Sequence, residues 1–203
     1  MVAPTFDVSK RSRVSPARGN RADAQCLRYR LDVVAASAVD VVQSAGGWLY
    51  DRAMAGWEVT VLLPERCDTR SLRILGVHTS DFEDLEDLEE QFAVPGTGSP
   101  SRSLAASADA FANDERVRDA VLRSLENRVT EVALWGQTPQ GWPLRVHRAM
   151  TSADRILSAA ARTFKGYALA AAGIPGAIVG PTETLLCDAF SMDALDQMTP
   201  FGK

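Results

Sequence analysis

The chain has 203 residues, 46% of them apolar and 24% charged, with a formal net charge of −4. This is ordinary globular composition, large enough to bury a core without staples, and its charge excludes a generic nucleic-acid binder. Cys26, Cys67 and Cys187 have no paired spacing, which excludes a disulfide framework and favours a reducing compartment, and no apolar run approaches the ~20 residues of a membrane-spanning helix.

Residues 1–23 are polar and basic, with Lys10, Arg11, Arg13, Arg18 and Arg21 among Ser, Pro and Gly. They read as a disordered basic arm, and Pro4, Pro16 and Gly19 break any presequence-like amphipathic helix. The remainder, 24–203, reads as a single α+β domain. Leu31, Val34, Ala38, Val41, Val42 and Ala45 fall at three- and four-residue steps, so the periodicity predicts a helix over 24–45. The Gly46-Gly47 pair interrupts it, and helix resumes through Met54 to a left-handed cap at Gly56.

Glu58–Leu63 and Leu72–His78 read as strands. The polar stretch 64–71 between them is too short for a crossover helix, which predicts an antiparallel hairpin. The phrase Ala55–Leu63 resembles a helix-to-strand phrase common in glycosyltransferases and other Rossmann-like proteins. Such a unit requires a helix after Leu63, where a polar turn and a second strand are expected instead, and no family is assigned. Ser80–Phe92 is acidic with near-helical apolar spacing, and 93–102 is loop. A helix is expected from Ser103, restarting near Asn113. Residues 129–135 and 142–148 read as a second hairpin around Gly136–Gly141. A long helix is expected from Thr151 to Gly173, then a short strand at 177–179 and a last helix near 184–198.

The expected architecture is therefore α+β: a small antiparallel sheet of two hairpins, 58–63/72–78 and 129–135/142–148, with helices packed on its faces. The hairpins share Glu-Val and Leu-Arg pairs at similar spacing, which raises a degenerate helix–hairpin duplication of 24–92 and 103–172.

Chemistry-bearing patterns are sparse. His78 and His147 belong to no metal-binding motif, so no metal or other cofactor is expected. The glycines at 96–98 match neither a Walker A loop nor a dinucleotide fingerprint. Cys67 and His78 fall at opposite ends of the first expected hairpin, too far apart for a dyad. In the second, Glu131 and His147 fall opposite one another on one face, a carboxylate–imidazole pair suited to acid–base work. Trp48, Tyr50, Asp51 and Arg52 form an aromatic and charged helix end, a composition typical of binding hot spots. The leading expectation is a cytoplasmic, non-catalytic interaction or regulatory domain, meeting a protein partner or a second copy through these four residues. No membrane is expected, and nucleic acid only through the basic arm. The competing expectation is a small-ligand binder or enzyme with a pocket beside the second hairpin, using Glu131 and His147.

Overall fold

A computed structural model of the protein describes residues 29–82, 102–127 and 130–188. Its elements in chain order are β1 (Arg30–Val34), α1 (Ala38–Met54), β2 (Glu58–Leu63), α2 (Arg70–Ile74), β3 (His78–Asp81), β4 (Arg102–Ser107), α3 (Ala108–Asn113), α4 (Glu115–Asn127), β5 (Glu131–Trp135), α5 (Leu144–Ala149), β6 (Met150–Ile156), α6 (Ala159–Ala171) and β7 (Thr182–Asp188). The strands form one seven-stranded sheet in the order β3-β2-β1-β4-β5-β7-β6. The pairs β1–β2, β1–β4, β2–β3 and β4–β5 are parallel, and β7 runs antiparallel to both β5 and β6.

This is an α/β architecture and corrects the expected α+β fold. Neither hairpin forms. Glu58–Leu63 is a strand, but the apolar run after it is the short helix α2, which turns Leu72 and Leu75 into the core and returns the chain to a parallel β3. The crossover occupies 64–77, enough length once Leu72–Val77 is no longer counted as strand. Glu131–Trp135 is likewise a strand, whereas Leu144–Ala149 is helix and Met150–Ile156 is a strand where a helix is expected from Thr151. Of the paired motifs behind the expected duplication, Glu58-Val59 and Glu131-Val132 begin β2 and β5, and Leu72-Arg73 and Leu144-Arg145 fall in the helices α2 and α5. Arg30–Val34, expected as helix, and Arg102–Ser107, expected as the end of a loop and a helix from Ser103, are central strands. The expected strand at 177–179 is absent, and 184–188 is strand rather than helix. The basic arm, most of the acidic segment and the end of the last expected helix lie outside the described residues.

Central parallel strands are covered on both faces and so carry apolar residues on both. Leu31, Val33, Val59, Val61 and Ala105 face one cluster, which α1, α2 and α6 close. Val34, Leu62, Leu104, Val132 and Leu134 face a second, closed by α3, α4 and α5.

The helix ends are set by local chemistry. Ser37, Ser107 and Ser158 cap α1, α3 and α6, each hydroxyl accepting from a backbone N–H of the first turn. Helices α1 and α6 both end in a Schellman motif. Gly56 at φ 89° and Gly173 at φ 85° take the left-handed position, and the N–H groups of Trp57 and Ile174 reach back to the carbonyls of Arg52 and Leu169. The second of these motifs directs the chain into 174–181, which returns along the sheet to begin β7.

The chain reverses its direction of travel across the sheet at β1 and β4. The C-terminal ends of β1, β4 and β5, the N-terminus of α1 and the start of β7 consequently share one edge. In open parallel sheets that edge is where ligands bind.

Candidate functional site

Asp40 sits in the first turn of α1 at this edge and is half-buried. Its Oδ2 accepts from the indole Nε1 of Trp135 at 2.8 Å, and its Oδ1 accepts from the Ser44 hydroxyl at 3.0 Å. Trp135 is the last residue of β5 and is 2% exposed, so its indole is a fixed donor. Ser44 is one helical turn after Asp40, the spacing that places both on the same face. Each carboxylate oxygen thus has one anchoring donor and retains capacity to accept another.

Ser44 and Trp135, the two residues that hold this carboxylate, line a cleft of about 490 Å³. Its lining mixes the polar Gln43, Ser44, Thr182 and Thr184 and the charged Lys165 and Glu183 with the apolar Leu169, Ile174, Ile178 and Val179, and Trp135 ends β5 there.

The cleft is braced by a buried ion pair. Lys165 Nζ of α6 lies 2.5 Å from Glu183 Oε1 of β7. Glu183 also accepts from the backbone N–H groups of Gly47 and Trp48, both at 2.8 Å, and Lys165 donates to the Gln43 carbonyl at 2.6 Å. Gln43 C=O and Gly47 N–H are the groups that pair in a regular α-helix. The ion pair bridges them from outside and ties α1, α6 and β7 together behind the site. This approach needs a glycine: a Cβ on Gly47 would lie 2.5 Å from Leu157 Cδ1 and 3.2 Å from Glu183 Oε1.

The residues singled out from the sequence lie elsewhere and do not converge. Glu131 begins β5, at the opposite edge of the sheet, and accepts from the Ser103 hydroxyl at 3.1 Å. It faces the α1 side with Arg52 and Cys187, around a cavity of about 10 Å³, which is room for about one water. His147 is exposed on α5, which packs on the other face of the sheet. The expected cross-strand pair is therefore not formed.

Trp48 and Tyr50 are buried core residues. Arg52 lies 4.1 Å from the Trp57 ring centroid, and burial pulls its guanidinium below the ordinary value. The Asp51 carboxylate accepts from the Ser158 N–H at 3.0 Å and its hydroxyl at 2.7 Å, fastening the start of α6. All four are engaged within the chain. Cys187 is a free thiol held up in pKa by burial, against the pull of Arg155, whose Nη2 donates to its sulfur. Burial of this kind disfavours the thiolate, the form that acts as a nucleophile.

Asp40, Trp135, Lys165 and Glu183 were not found by sequence reasoning. The available signals were polar residues on otherwise apolar elements: Asp40 and Ser44 within the α1 stripe, Lys165 on the inward side of α6, and Glu183 on the inward side of β7. The twin glycine, read as an interruption, marks where Glu183 approaches. Among the described residues no three His, Cys, Asp or Glu side chains converge as metal ligands, and none of their helices is long and apolar enough to cross a membrane.

No family model and no curated protein matches the chain. Solved structures do resemble it in fold. The A40926 pseudoaglycone deacetylase superposes with a TM-score of 0.50 at 18% identity, over 78% of this chain and 96% of that one. A deacetylase–teicoplanin complex gives 0.49 at 14% identity, over 78% and 97%. The 4-carboxy-2-hydroxymuconate hydratase of Pseudomonas putida gives 0.45 at 12% identity, over 87% and 98%. The first of these likenesses establishes the fold, a mostly parallel α/β sheet, and agrees with the topology above. These three carry enzyme names, against the expected non-catalytic interaction or regulatory domain, and the likeness to the first, at 18% identity, is one of fold.

Proposed function

We propose that the protein is a hydrolytic enzyme acting on a small acylated molecule, with Asp40 as its general base. The observation that carries this reading is the Asp40 carboxylate, oriented on both oxygens by Trp135 and Ser44, two residues that line an open cleft. A carboxylate held this way takes a proton from a water as that water's oxygen bonds to the acyl carbon. The proton then passes to the leaving nitrogen as the carbon–nitrogen bond breaks. The N-terminus of α1 adds a positive dipole end at the same edge, favourable to charge growing on the acyl oxygen. The likeness of fold to a deacetylase supports the reaction class.

The competing sequence reading, a ligand binder or enzyme, keeps its enzyme half here but moves from Glu131 and His147 to the opposite edge of the sheet. The test is a panel of N-acyl amino sugars and acyl amides assayed for release of free amine. Turnover is expected from the native chain, and Asp40→Asn should lower kcat by roughly 10²- to 10⁴-fold with unchanged circular dichroism. Undiminished turnover in Asp40→Asn, or no amine released from any member, overturns the proposal.

A further inference from the structure

Two guanidinium groups converge under the end of α1, at the edge of the sheet opposite Asp40. Strand register assembles their surroundings. Ser103 pairs with Glu131 across β4 and β5, and Ala133 pairs with Cys187 across β5 and β7. Arg155 of β6 lies opposite Glu183, so alternation turns its side chain to the same face as Cys187. That long side chain reaches along β7, and its Nη2 donates to Cys187 Sγ at 3.0 Å. The last turn of α1 carries Arg52 over the same face. Together these side chains line the cavity of about 10 Å³.

One donor there is left over. Glu131 is turned to Ser103, whose hydroxyl donates to Oε2. Arg155 Nε is buried and has no hydrogen-bond partner among the described residues. Arg52 is held by ring faces, 4.1 Å from the Trp57 centroid and 5.7 Å from that of Trp48. A ring face attracts the charge, but it does not take up the five N–H donors of a guanidinium. A buried donor without a partner marks a place for a water or an ion. Charge decides between the two. The cavity is lined by two guanidinium groups against one carboxylate. A neutral water leaves the excess positive charge uncancelled in a site largely out of water, and a monovalent anion cancels it. Size then selects the anion. Room for about one water-sized sphere shuts out nitrate, phosphate and carboxylates and leaves a halide.

We propose that this cavity binds a single chloride ion, held by Arg155 Nε and the Arg52 guanidinium, with the Cys187 thiol beside it. The ion ties the last turn of α1 to β6 and β7. It serves stability and is separate from the hydrolytic site proposed at the other edge.

The experiment follows urea unfolding of the full chain at constant ionic strength while sodium gluconate is replaced by sodium chloride. One site present only in the folded state lowers the unfolding constant about tenfold for each tenfold rise in chloride above the dissociation constant. Arg155→Met should flatten that response. Crystals of the native chain grown in sodium bromide should show an anomalous scatterer between Arg155 and Arg52. That peak is read on the native chain, so it decides the matter even where Arg155→Met fails to fold. Stability indifferent to the exchange of gluconate for chloride, a slope kept in Arg155→Met, or a water in the cavity of the bromide crystals overturns the proposal. A bromide peak without chloride dependence in solution means an adventitious ion only, and overturns it as well.

Discussion

Gly46 and Gly47 are neighbours in α1, yet they answer to different constraints. A Cβ at Gly46 would meet Leu75 Cδ1 at 3.3 Å, a contact that a small shift of a side-chain tip relieves. Replacing a mid-helix glycine by alanine gains about 1 kcal/mol of propensity. Gly46→Ala is therefore expected to be neutral or to stabilise by up to about 1 kcal/mol. At Gly47 the added atom collides with both methyls of the buried Leu157 and crowds Glu183. Overpacking of this kind costs about 1–3 kcal/mol, which outweighs the propensity gain. Gly47→Ala should lower the urea midpoint while Gly46→Ala does not. Equal effects at the two positions would show that Glu183 does not approach the helix as described. The Asp32 carboxylate is a second constraint at this scale. It is fully buried, Oδ2 lacks a hydrogen-bond partner, and burial raises its pKa above 3.8 despite Arg30 at 2.9 Å and the nearby Arg102. A raised folded value means that the native state binds this proton more tightly than the unfolded chain does. Its contribution to stability is full below the unfolded value and is lost as pH rises through the folded one. Asp32→Asn removes that loss, so at neutral pH it should raise the melting temperature, on the order of 1 kcal/mol in stability. The advantage should shrink as pH falls towards 3.8. A variant less stable than the native protein at pH 7 would mean that the Arg30 bond outweighs burial.

Between elements, the joints are polar although the surfaces they join are apolar. Helices α1 and α6 meet through Leu49, Ala45, Ala161 and Ala168, small and aliphatic side chains that set distance but not register. Register comes from Lys165 and Glu183 at one end of the contact and from Asp51 with Ser158 at the other. The two joints differ in burial, which decides their worth. Removing one member of a buried pair strands the other, at about 3–5 kcal/mol. Lys165→Met should cost about that much, leaving Glu183 charged among two backbone donors. The double variant Lys165→Met, Glu183→Gln should recover part of the loss, because no bare charge remains. Strict additivity in chemical denaturation would deny the coupling. Asp51→Ala, at an exposed cap, should cost only about 1 kcal/mol. Elements of this kind were partly legible in the sequence. The apolar stripe of α1 from Ala38 to Ala45 and its stop at Gly56 follow from local periodicity and φ. The preceding Leu31–Val34 fits the same three- and four-residue steps by coincidence. A strand buried on both faces is apolar at consecutive positions, and no period distinguishes it from helix. The Leu72–Val77 run failed in the opposite sense: a five-residue helix is too short to show its turn.

At the scale of the whole molecule, the strand order was the part that local reasoning missed. The pairings β1–β4 and β5–β7 join strands far apart in sequence, and no residue in Leu31–Val34 or Thr182–Asp188 announces its neighbour. The candidate site follows from that order, since Asp40 and Trp135 meet only because β1 and β5 end on the same edge. The sheet order also predicts how protection is distributed. Strands β1 and β4 have neighbours on both sides and carry residues at or near zero exposure, whereas β3 is four residues long, polar and paired only to β2. Edge strands open locally, and central strands exchange only as the whole domain unfolds. Hydrogen exchange should therefore be slowest at Leu31–Val34, Val59–Leu63 and Leu104–Ala106. It should be at least about 100-fold faster at His78–Asp81, a gap of roughly 3 kcal/mol in opening free energy. Two antiparallel hairpins would protect 58–63 and 72–78 alike and leave 31–34 to the weaker protection of a surface helix. A profile of that second kind would remove the shared edge on which Asp40 and Trp135 stand, and with it the cleft beside them.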